Sequence, residues 1–253
     1  MAGLKRKGAA CCALAKTDTA IRGQPAGTRE GHDELCPYDE GRGKPRPYKF
    51  EGVFDLKIGI LAVQGDFAAH AARLAELGAD TVEVRTVRDL DGCDGVILPG
   101  GESTTQLQFL QEEGLFDAVK KFAADGGAIF GTCAGAILLA TEVKNPAQAS
   151  LGLLDMAVLR NGYGRQLASD VFFGSSKLSD VPMEMVFIRA PIIERVGPGV
   201  DVLADYGGKP VLVQKDNLMA GTFHPELTQD ATVHRHFLEL VAAHPRQTAS
   251  VAP

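Results

Sequence analysis

Apolar strand-like runs alternate with amphipathic helical segments from Lys57 onward, and this alternation constrains the fold more than any other feature of the sequence. The first unit is the run Lys57 to Val63, followed by a helical period over Phe67 to Leu77 that ends at Gly78. The later strand-like runs are 81–84, 95–98 and 127–130, and the later helical segments are 105–122 and 136–143. Strands separated by helices predict an α/β fold of three layers, in which a mainly parallel sheet is flanked by helices.

The region from residue 151 to 213 has shorter apolar runs, separated by Gly, Asp and Pro. These runs predict a small antiparallel extension of the sheet. A final strand is expected over 218–223, followed by a helix over about 230–243.

Residues 1–56 differ from the rest, because they contain charges of both signs, Gly and Pro clusters and no sustained apolar period. We expect a disordered N-terminal extension over 1–56, one folded domain over 57–245 and a flexible tail over 246–253. Basic residues without an acid in the first 17 positions suggest a targeting peptide. A tail without function, or a gene start placed too early, are the alternatives.

Charge and cysteine content narrow the class of protein. The formal net charge is −6, so no global basic field exists to hold nucleic acid, and no apolar run approaches the roughly 20 residues of a membrane helix. The five cysteines are an odd number without a C-x-x-C pair, which does not indicate a disulfide framework or a zinc site. We expect a cytoplasmic protein in which one cysteine can have a chemical role.

The segment Gly131-Thr132-Cys133-Ala134-Gly135 is the strongest candidate for a nucleophile. It lies between an apolar strand and an apolar helix, where a G-x-nucleophile-x-G turn presents its side chain on a tight elbow. Backbone N–H groups at the start of the next helix favour the reactive thiolate. The alternative is a small buried cysteine beside a packed turn.

A nucleophilic thiol needs a base, and the base needs a group that orients it. Phe223-His224-Pro225-Glu226-Leu227 supplies both, since in extended backbone His224 and Glu226 would lie on the same side. The alternative is a loop histidine with a surface glutamate. Among the other histidines, His234 and His236 fall on different helix faces, and His70 is expected at the surface or an interface rather than in catalysis.

The segment from Leu98 to Thr105 follows a strand and opens a helix. Backbone N–H groups of Gly100 and Gly101 could face a developing oxyanion together with the N–H of Ala134, and Glu102 could bind a substrate ammonium group. The alternative is structural: Ser103 and Gln106 have capping-box spacing, and the glycines could serve only the turn. Neither a dinucleotide fingerprint nor a P-loop lysine is present.

In order, the motifs PGGESTT (99–105), GTCAG (131–135) and FHPEL (223–227) resemble those of the class I, or triad, glutamine amidotransferases. Further segments are similar to the glutaminase subunits of deoxyxylulose-independent pyridoxal 5'-phosphate synthases. These segments are ILAVQG (60–65), LGLL (151–154), RN (160–161), YGRQ (163–166) and FIRAP (187–191). The similarity covers about residues 57–243, and the motifs in this order are far more specific than any one alone.

The resemblance implies a flavodoxin-like three-layer fold and a glutaminase reaction. By this resemblance Cys133 is the nucleophile, His224 the general base and acid, and Glu226 its orienter. The implied glutamine-binding residues are Gly101, Glu102, Ser103, Arg160, Ile188 and Arg189. The implied partner is a barrel-shaped synthase subunit that receives ammonia, and no cofactor or metal is expected in this chain.

The chain departs from the family pattern in two places, and two rival interpretations of its function remain. After Gln64-Gly65 the family usually carries a small residue, and it carries an acid shortly before the histidine that corresponds to His70. In this chain Asp66 and Ala69 occupy the stretch that leads to His70. The N-terminal extension has no counterpart in compact family members. The rivals are a glutaminase subunit serving another synthase, such as that of the histidine pathway, and a catalytically silent subunit on the same fold.

Overall fold

The structure is a computed structural model that describes residues 54–162 and 169–246. The predicted N-terminal extension up to residue 53, the motif at 163–166 and the tail from 247 lie outside the described residues. At the start of the described residues, Phe54 and Leu56 pack against the core. The backbone N–H of Asp80 donates to the carbonyl of Leu56 at 2.9 Å.

The N-terminal half of the domain alternates strands and helices as the sequence predicts. Its elements are β1 (Lys57–Leu61), α1 (Phe67–Glu76), β2 (Asp80–Val84), a 3-10 turn (Val87–Leu90), β3 (Gly95–Leu98), α2 (Ser103–Glu112), α3 (Leu115–Ala124), β4 (Ala128–Thr132) and α4 (Ala134–Leu139).

The C-terminal half is mostly strand and ends in a helix. Its elements are β5 (Ala140–Lys144), β6 (Leu154–Leu159), β7 (Ser169–Ser176), β8 (Ser179–Ile188), β9 (Ile192–Val196), β10 (Asp201–Tyr206), β11 (Lys209–Lys215), β12 (Leu218–Gly221), a second 3-10 turn (Pro225–Leu227) and α5 (Thr232–Ala243).

In the described part of the chain, the main sheet has nine strands in the order β2-β1-β3-β4-β12-β11-β10-β7-β8. The strands from β2 to β12 pair in parallel, whereas those from β12 to β8 pair antiparallel. A separate sheet contains β5, β6 and β9. This arrangement confirms the predicted α/β class, with a parallel sheet that continues into antiparallel strands.

Two apolar clusters cover the two faces of the sheet, because successive side chains of a strand point in opposite directions. On β3, Val96 and Leu98 belong to the cluster that contains the buried side chains of α2, α3 and α4. Ile97 belongs to the other cluster, with Leu74 of α1 and Phe237 of α5. The three predicted layers are therefore present.

Two predicted helices are wrong in extent. The segment 105–122 forms two helices rather than one, because Gly114 adopts a left-handed conformation (φ 69°) and starts α3 afresh. The segment 136–143 is helical only to Leu139. From Ala140 the chain extends into β5 and pairs with β6, a tertiary contact that favours strand over helix for the β-branched Thr141 and Val143.

No helix in the described ranges is long and apolar enough to span a bilayer.

Candidate active site

The predicted site residues meet at the carboxyl ends of the parallel strands, where open α/β sheets place their ligands. Gly100 follows β3, Cys133 follows β4 and His224 follows β12. The end of β8 joins them, since the Cys133 Sγ lies 3.9 Å from the carbonyl oxygen of Ile188.

Cys133 occupies a strained turn between β4 and α4. Its backbone has φ 47° and ψ −99°, a conformation that costs a non-glycine residue about 1–3 kcal/mol and occurs mainly where function requires it. A hydrogen bond to the neighbouring strand β12 stabilises the turn, because the N–H of Cys133 donates to the carbonyl of Gly221 at 2.8 Å. A side chain at Gly135 would collide with the carbonyl of Leu98, so only glycine lets α4 approach β3 this closely. The tight strand-to-helix turn that the sequence predicts at Cys133 is therefore present.

His224 and Glu226 form a buried pair beside the elbow. The Nδ1–H of His224 donates to Oε1 of Glu226 at 2.8 Å, and both residues are at most 4% exposed. The expectation of extended backbone between them is wrong. Pro225 occupies the first position of a 3-10 turn, where its fixed φ favours helical geometry, and the turn brings the two side chains together instead.

The charges around His224 favour its protonated form. Burial alone would lower the pKa of His224, but its interactions with the Cys133 thiol and the Glu226 carboxylate outweigh this and raise the pKa well above its ordinary value. The second ring nitrogen, Nε2, is buried without a hydrogen bond of normal geometry to the described residues. It is therefore available to exchange a proton with a reacting group.

The glycine loop after β3 packs directly on the His224 ring. A Cβ added at Gly100 would lie 3.0 Å from Nδ1 of His224 and closer still to Cε1, so the loop and the imidazole fit only without a side chain there. The buried Gln106 fixes the loop, because its Nε2 donates to the carbonyls of Pro99 and Gly100, both at 3.2 Å. The alternative capping box of Ser103 with Gln106 is wrong, since Glu102 caps α2.

The residues expected to bind glutamine surround this loop. Oε2 of Glu102 accepts from the N–H of Thr105 at 2.8 Å, and its Oε1 accepts from Nη2 of Arg160 at 3.0 Å. Burial would raise the pKa of Glu102, but hydrogen bonds from the backbone N–H groups and hydroxyls of Thr105 and Thr104 outweigh it and lower the pKa below its ordinary value. Ser103 is buried and donates to Oε1 of Gln148 at 3.1 Å. Arg189 follows the end of β8, is exposed, and has a positive φ of 46°.

Three carboxylate and imidazole groups come near enough to share a cation. One ligand atom each of Asp66, His224 and Glu226 lies within 4.8 Å of the others. However, Nδ1 of His224 lies 2.8 Å from Glu226 and 4.0 Å from the exposed Asp66. The shorter contact holds the imidazole of His224 against Glu226, which is the arrangement that a base and its orienting group would need.

The sequence interpretation missed a polar network behind the site. His70, expected at the surface or an interface, is fully buried, and its Nε2 lies 3.4 Å from Oε2 of Glu226. The signal that could have found it is its i, i+4 spacing with the buried Leu74 on the apolar face of α1. His234 and His236 lie in different surroundings, as predicted. His234 contacts His70 and so belongs to this network, whereas His236 contacts Oε1 of Gln214.

The chain is similar to known proteins over most of its length. The model of the SNO glutamine amidotransferase family matches residues 60–243. The chain is 52% identical over 186 residues to the pyridoxal 5'-phosphate synthase subunit PdxT of Koribacter versatilis, covering 74% of this chain and 96% of that protein. It is 52% identical over 188 residues to the subunit of the same name from Solibacter usitatus, covering 72% and 97%.

A solved structure described as a glutamine amidotransferase has 46% sequence identity and a TM-score of 0.70, covering 73% of this chain and 98% of its own. The family match spans well over half of the chain, including the elbow, the glycine loop and the His224–Glu226 pair. The chain therefore belongs to the SNO glutamine amidotransferase family.

Proposed function

We propose that the chain is the glutaminase subunit of a pyridoxal 5'-phosphate synthase, and that Cys133, His224 and Glu226 are its catalytic triad. The observation that carries the proposal is the strained, buried Cys133 elbow beside a 2.8 Å His224–Glu226 hydrogen bond. A structural cysteine has no need of a strained backbone or of an oriented base next to it.

The mechanism follows from this arrangement. The Cys133 sulfur attacks the side-chain amide carbon of glutamine, while His224, protonated and oriented by Glu226, gives its proton to the leaving nitrogen. Ammonia leaves and a thioester remains on Cys133. His224 then accepts a proton from water, and the resulting hydroxide equivalent attacks the thioester carbon. The bond between the carbonyl carbon and sulfur then breaks and glutamate is released. Cys133 leaves as a thiolate beside His224, which keeps the proton that it took from water.

The glycine loop is the proposed oxyanion hole. Backbone N–H groups of Gly100, Gly101 and Ala134 would stabilise the negative oxygen of the tetrahedral intermediate. Their fit is supported by the packing of Gly100 on His224 and by the two hydrogen bonds from Gln106, which hold the loop rigid.

We assign the amino-acid end of glutamine to Glu102, Ser103, Arg160 and the Ile188-Arg189 segment. Glu102 offers a carboxylate to the substrate ammonium, and Arg160 offers a guanidinium to the substrate carboxylate. The 3.0 Å contact between Glu102 and Arg160 supports this, because it places both charges beside the glycine loop. Ile188 supports it too, since its carbonyl lies 3.9 Å from Cys133 Sγ.

The proposed partner is a barrel-shaped synthase subunit that receives the ammonia. The proposed glutaminase domain of this chain covers residues 57–245. The support for a synthase partner is the name of the relatives, which are subunits of pyridoxal 5'-phosphate synthase. We place the reaction in the cytoplasm. The two cysteines of the described residues, Cys93 and Cys133, are free thiols, which a reducing compartment favours.

The experiment is a glutamate-formation assay with and without the synthase subunit. Cys133→Ala should abolish glutamate formation, whereas Cys93→Ala, a matched change at another buried free cysteine, should leave it intact. Pyridoxal phosphate formation by the Cys133→Ala complex should return when an ammonium salt replaces glutamine. If wild-type protein forms no glutamate with any synthase partner, the silent-subunit interpretation is correct instead.

A further inference from the structure

Behind the proposed triad, two histidines form a buried pair that the mechanism above does not use. His70 on α1 and His234 on α5 are both 0% exposed, and Nδ1 of His70 lies 2.9 Å from Nε2 of His234. The other nitrogen of His70, Nε2, lies 3.2 Å from Oγ1 of Thr132 and 3.4 Å from Oε2 of Glu226. The pair therefore connects two helices with the nucleophile elbow and the triad acid.

Both histidines are neutral at neutral pH. Burial, followed by the nearby His234 and His224, lowers the pKa of His70, and burial with the charge of Arg73 lowers the pKa of His234 to about 3. The ring of Phe130 meets both imidazoles nearly edge-on, with interplanar angles of 88° and 85°, and adds an apolar wall. A neutral imidazole carries one N–H, so each ring donates from one nitrogen and accepts at the other.

Two proton arrangements fit the 2.9 Å contact between the rings. If His70 donated from Nδ1, its unprotonated Nε2 would face the Glu226 carboxylate, and His234 would keep a buried N–H on Nδ1, which has no partner in the described residues. If His234 donates from Nε2, the N–H of His70 is on Nε2 and faces Glu226. The second arrangement avoids the repulsion and leaves only an acceptor unpaired, which costs less than an unpaired N–H.

Glu226 needs such a donor. Its Oε1 is occupied by His224, but Oε2 is fully buried and has no hydrogen bond of normal geometry in the described part of the chain. A buried carboxylate oxygen without a donor is costly. The Nε2 of His70 lies 3.4 Å from this oxygen and 3.2 Å from Oγ1 of Thr132, so an N–H on Nε2 is within reach of both.

We infer that His70 is a positioning residue, which holds the Glu226 carboxylate in place for His224 by donating from Nε2, and that His234 fixes the tautomer that makes this possible. The inference rests on the proposed function of the triad. It assigns a role to side chains that contact neither substrate nor nucleophile and that are 164 residues apart in the chain.

The kinetic test compares His70→Leu with His70→Gln. Leucine fills the space without a donor, whereas the glutamine amide places an N–H near the position of Nε2. Losing a hydrogen bond to a buried charge should lower kcat of the Leu variant about tenfold, with KM within about twofold, and the Gln variant should recover most of kcat. Equal loss in both variants, or wild-type kcat in the Leu variant, would overturn the inference.

The direct test is nitrogen-15 NMR of the histidine side chains in the full chain at pH 7.5. It should show neutral rings at positions 70 and 234, both protonated at Nε2, and it needs no variant to fold. A protonated His70, or a His70 protonated at Nδ1, would overturn the inference.

Alkylation by iodoacetamide separates failure of the triad from failure of the inference. In wild-type protein Cys133 should react faster than Cys93. If it does not, the proposed function itself fails. If Cys133 is activated in wild-type protein and equally activated in His70→Leu, the triad stands and the inference about His70 fails.

Discussion

Gly100→Ala is the substitution for which the structure gives the clearest mechanical expectation. The new Cβ would lie 3.0 Å from Nδ1 of His224, 3.4 Å from Nε2 and well under 3.0 Å from Cε1. The backbone at Gly100 is not in the left-handed region, so alanine meets no conformational barrier there. The effect therefore falls on the imidazole.

The size of that effect follows from the distances. Carbon atoms pack at about 3.5 Å or more, so the ring must retreat by roughly 1 Å. His224 is 4% exposed and tied to Glu226 at 2.8 Å, which leaves little room for the ring to move while keeping its hydrogen bond. A displacement of about 1 Å in a catalytic group lowers the rate by about a hundredfold, or about 2.7 kcal/mol in transition-state stabilisation.

The assay is glutamate formation by the complex with the synthase subunit, alongside thermal unfolding. Gly100→Ala should lower kcat about a hundredfold, and the variant should still unfold cooperatively. The matched control is Gly152→Ala, which has open space around its Cβ in the described structure but a φ of 66°, so it should cost stability and leave kcat unchanged. Wild-type kcat in Gly100→Ala would refute the assignment of His224 as the catalytic base.

Three further predictions follow from single contacts. Gln106→Leu removes both hydrogen bonds that Nε2 donates to the glycine loop, so it should lower kcat and cost about 1–3 kcal/mol in urea unfolding. Wild-type kcat and wild-type stability in this variant would show that Gln106 does not hold the loop. His70 and His234 are neutral in the folded protein and gain protons when it unfolds at low pH. The free energy of unfolding should therefore fall as the pH drops from about 6.5 towards 3, by up to about 1.4 kcal/mol per pH unit for each histidine. His234→Gln should remove one of these two contributions. Cys133→Gly should be about 1 kcal/mol more stable than Cys133→Ala in denaturant titrations, because φ 47° strains any residue with a Cβ, and equal stabilities would argue against strain at the elbow.

The sequence was sufficient to bring the main candidate site residues to one edge of the sheet because of the parallel topology. Gly100, Cys133 and His224 each follow a predicted apolar strand, and the carboxyl ends of neighbouring parallel strands meet at one edge. The strands could be recognised from local apolar runs, and the elbow from its flanking glycines. Ile188 was placed only through the family resemblance, since its strand joins the sheet at the far antiparallel edge.

What the sequence did not give depends on tertiary contacts. Val143 extends β5 because β6 offers a pairing partner, which no local pattern around residue 140 contains. His70 is buried because His234, 164 residues later, supplies a partner for its ring nitrogen. The side-chain contact between Glu102 and Arg160 likewise joins a helix cap to the end of another sheet.

The measurement that tests the central claim most directly is covalent labelling by a diazoketone analogue of glutamine, followed by mass spectrometry of the cysteine peptides. The reagent carries the amino-acid end of the substrate. Its diazo carbon, next to the side-chain carbonyl, is protonated and then attacked by the thiolate, which displaces dinitrogen and forms a stable thioether. If Cys133 is the activated nucleophile, the label will be found on Cys133 and not on Cys93, which is also a buried free thiol, and excess glutamine will prevent the labelling. Labelling at any other cysteine, or an unlabelled Cys133 in protein that turns over glutamine, would contradict the account.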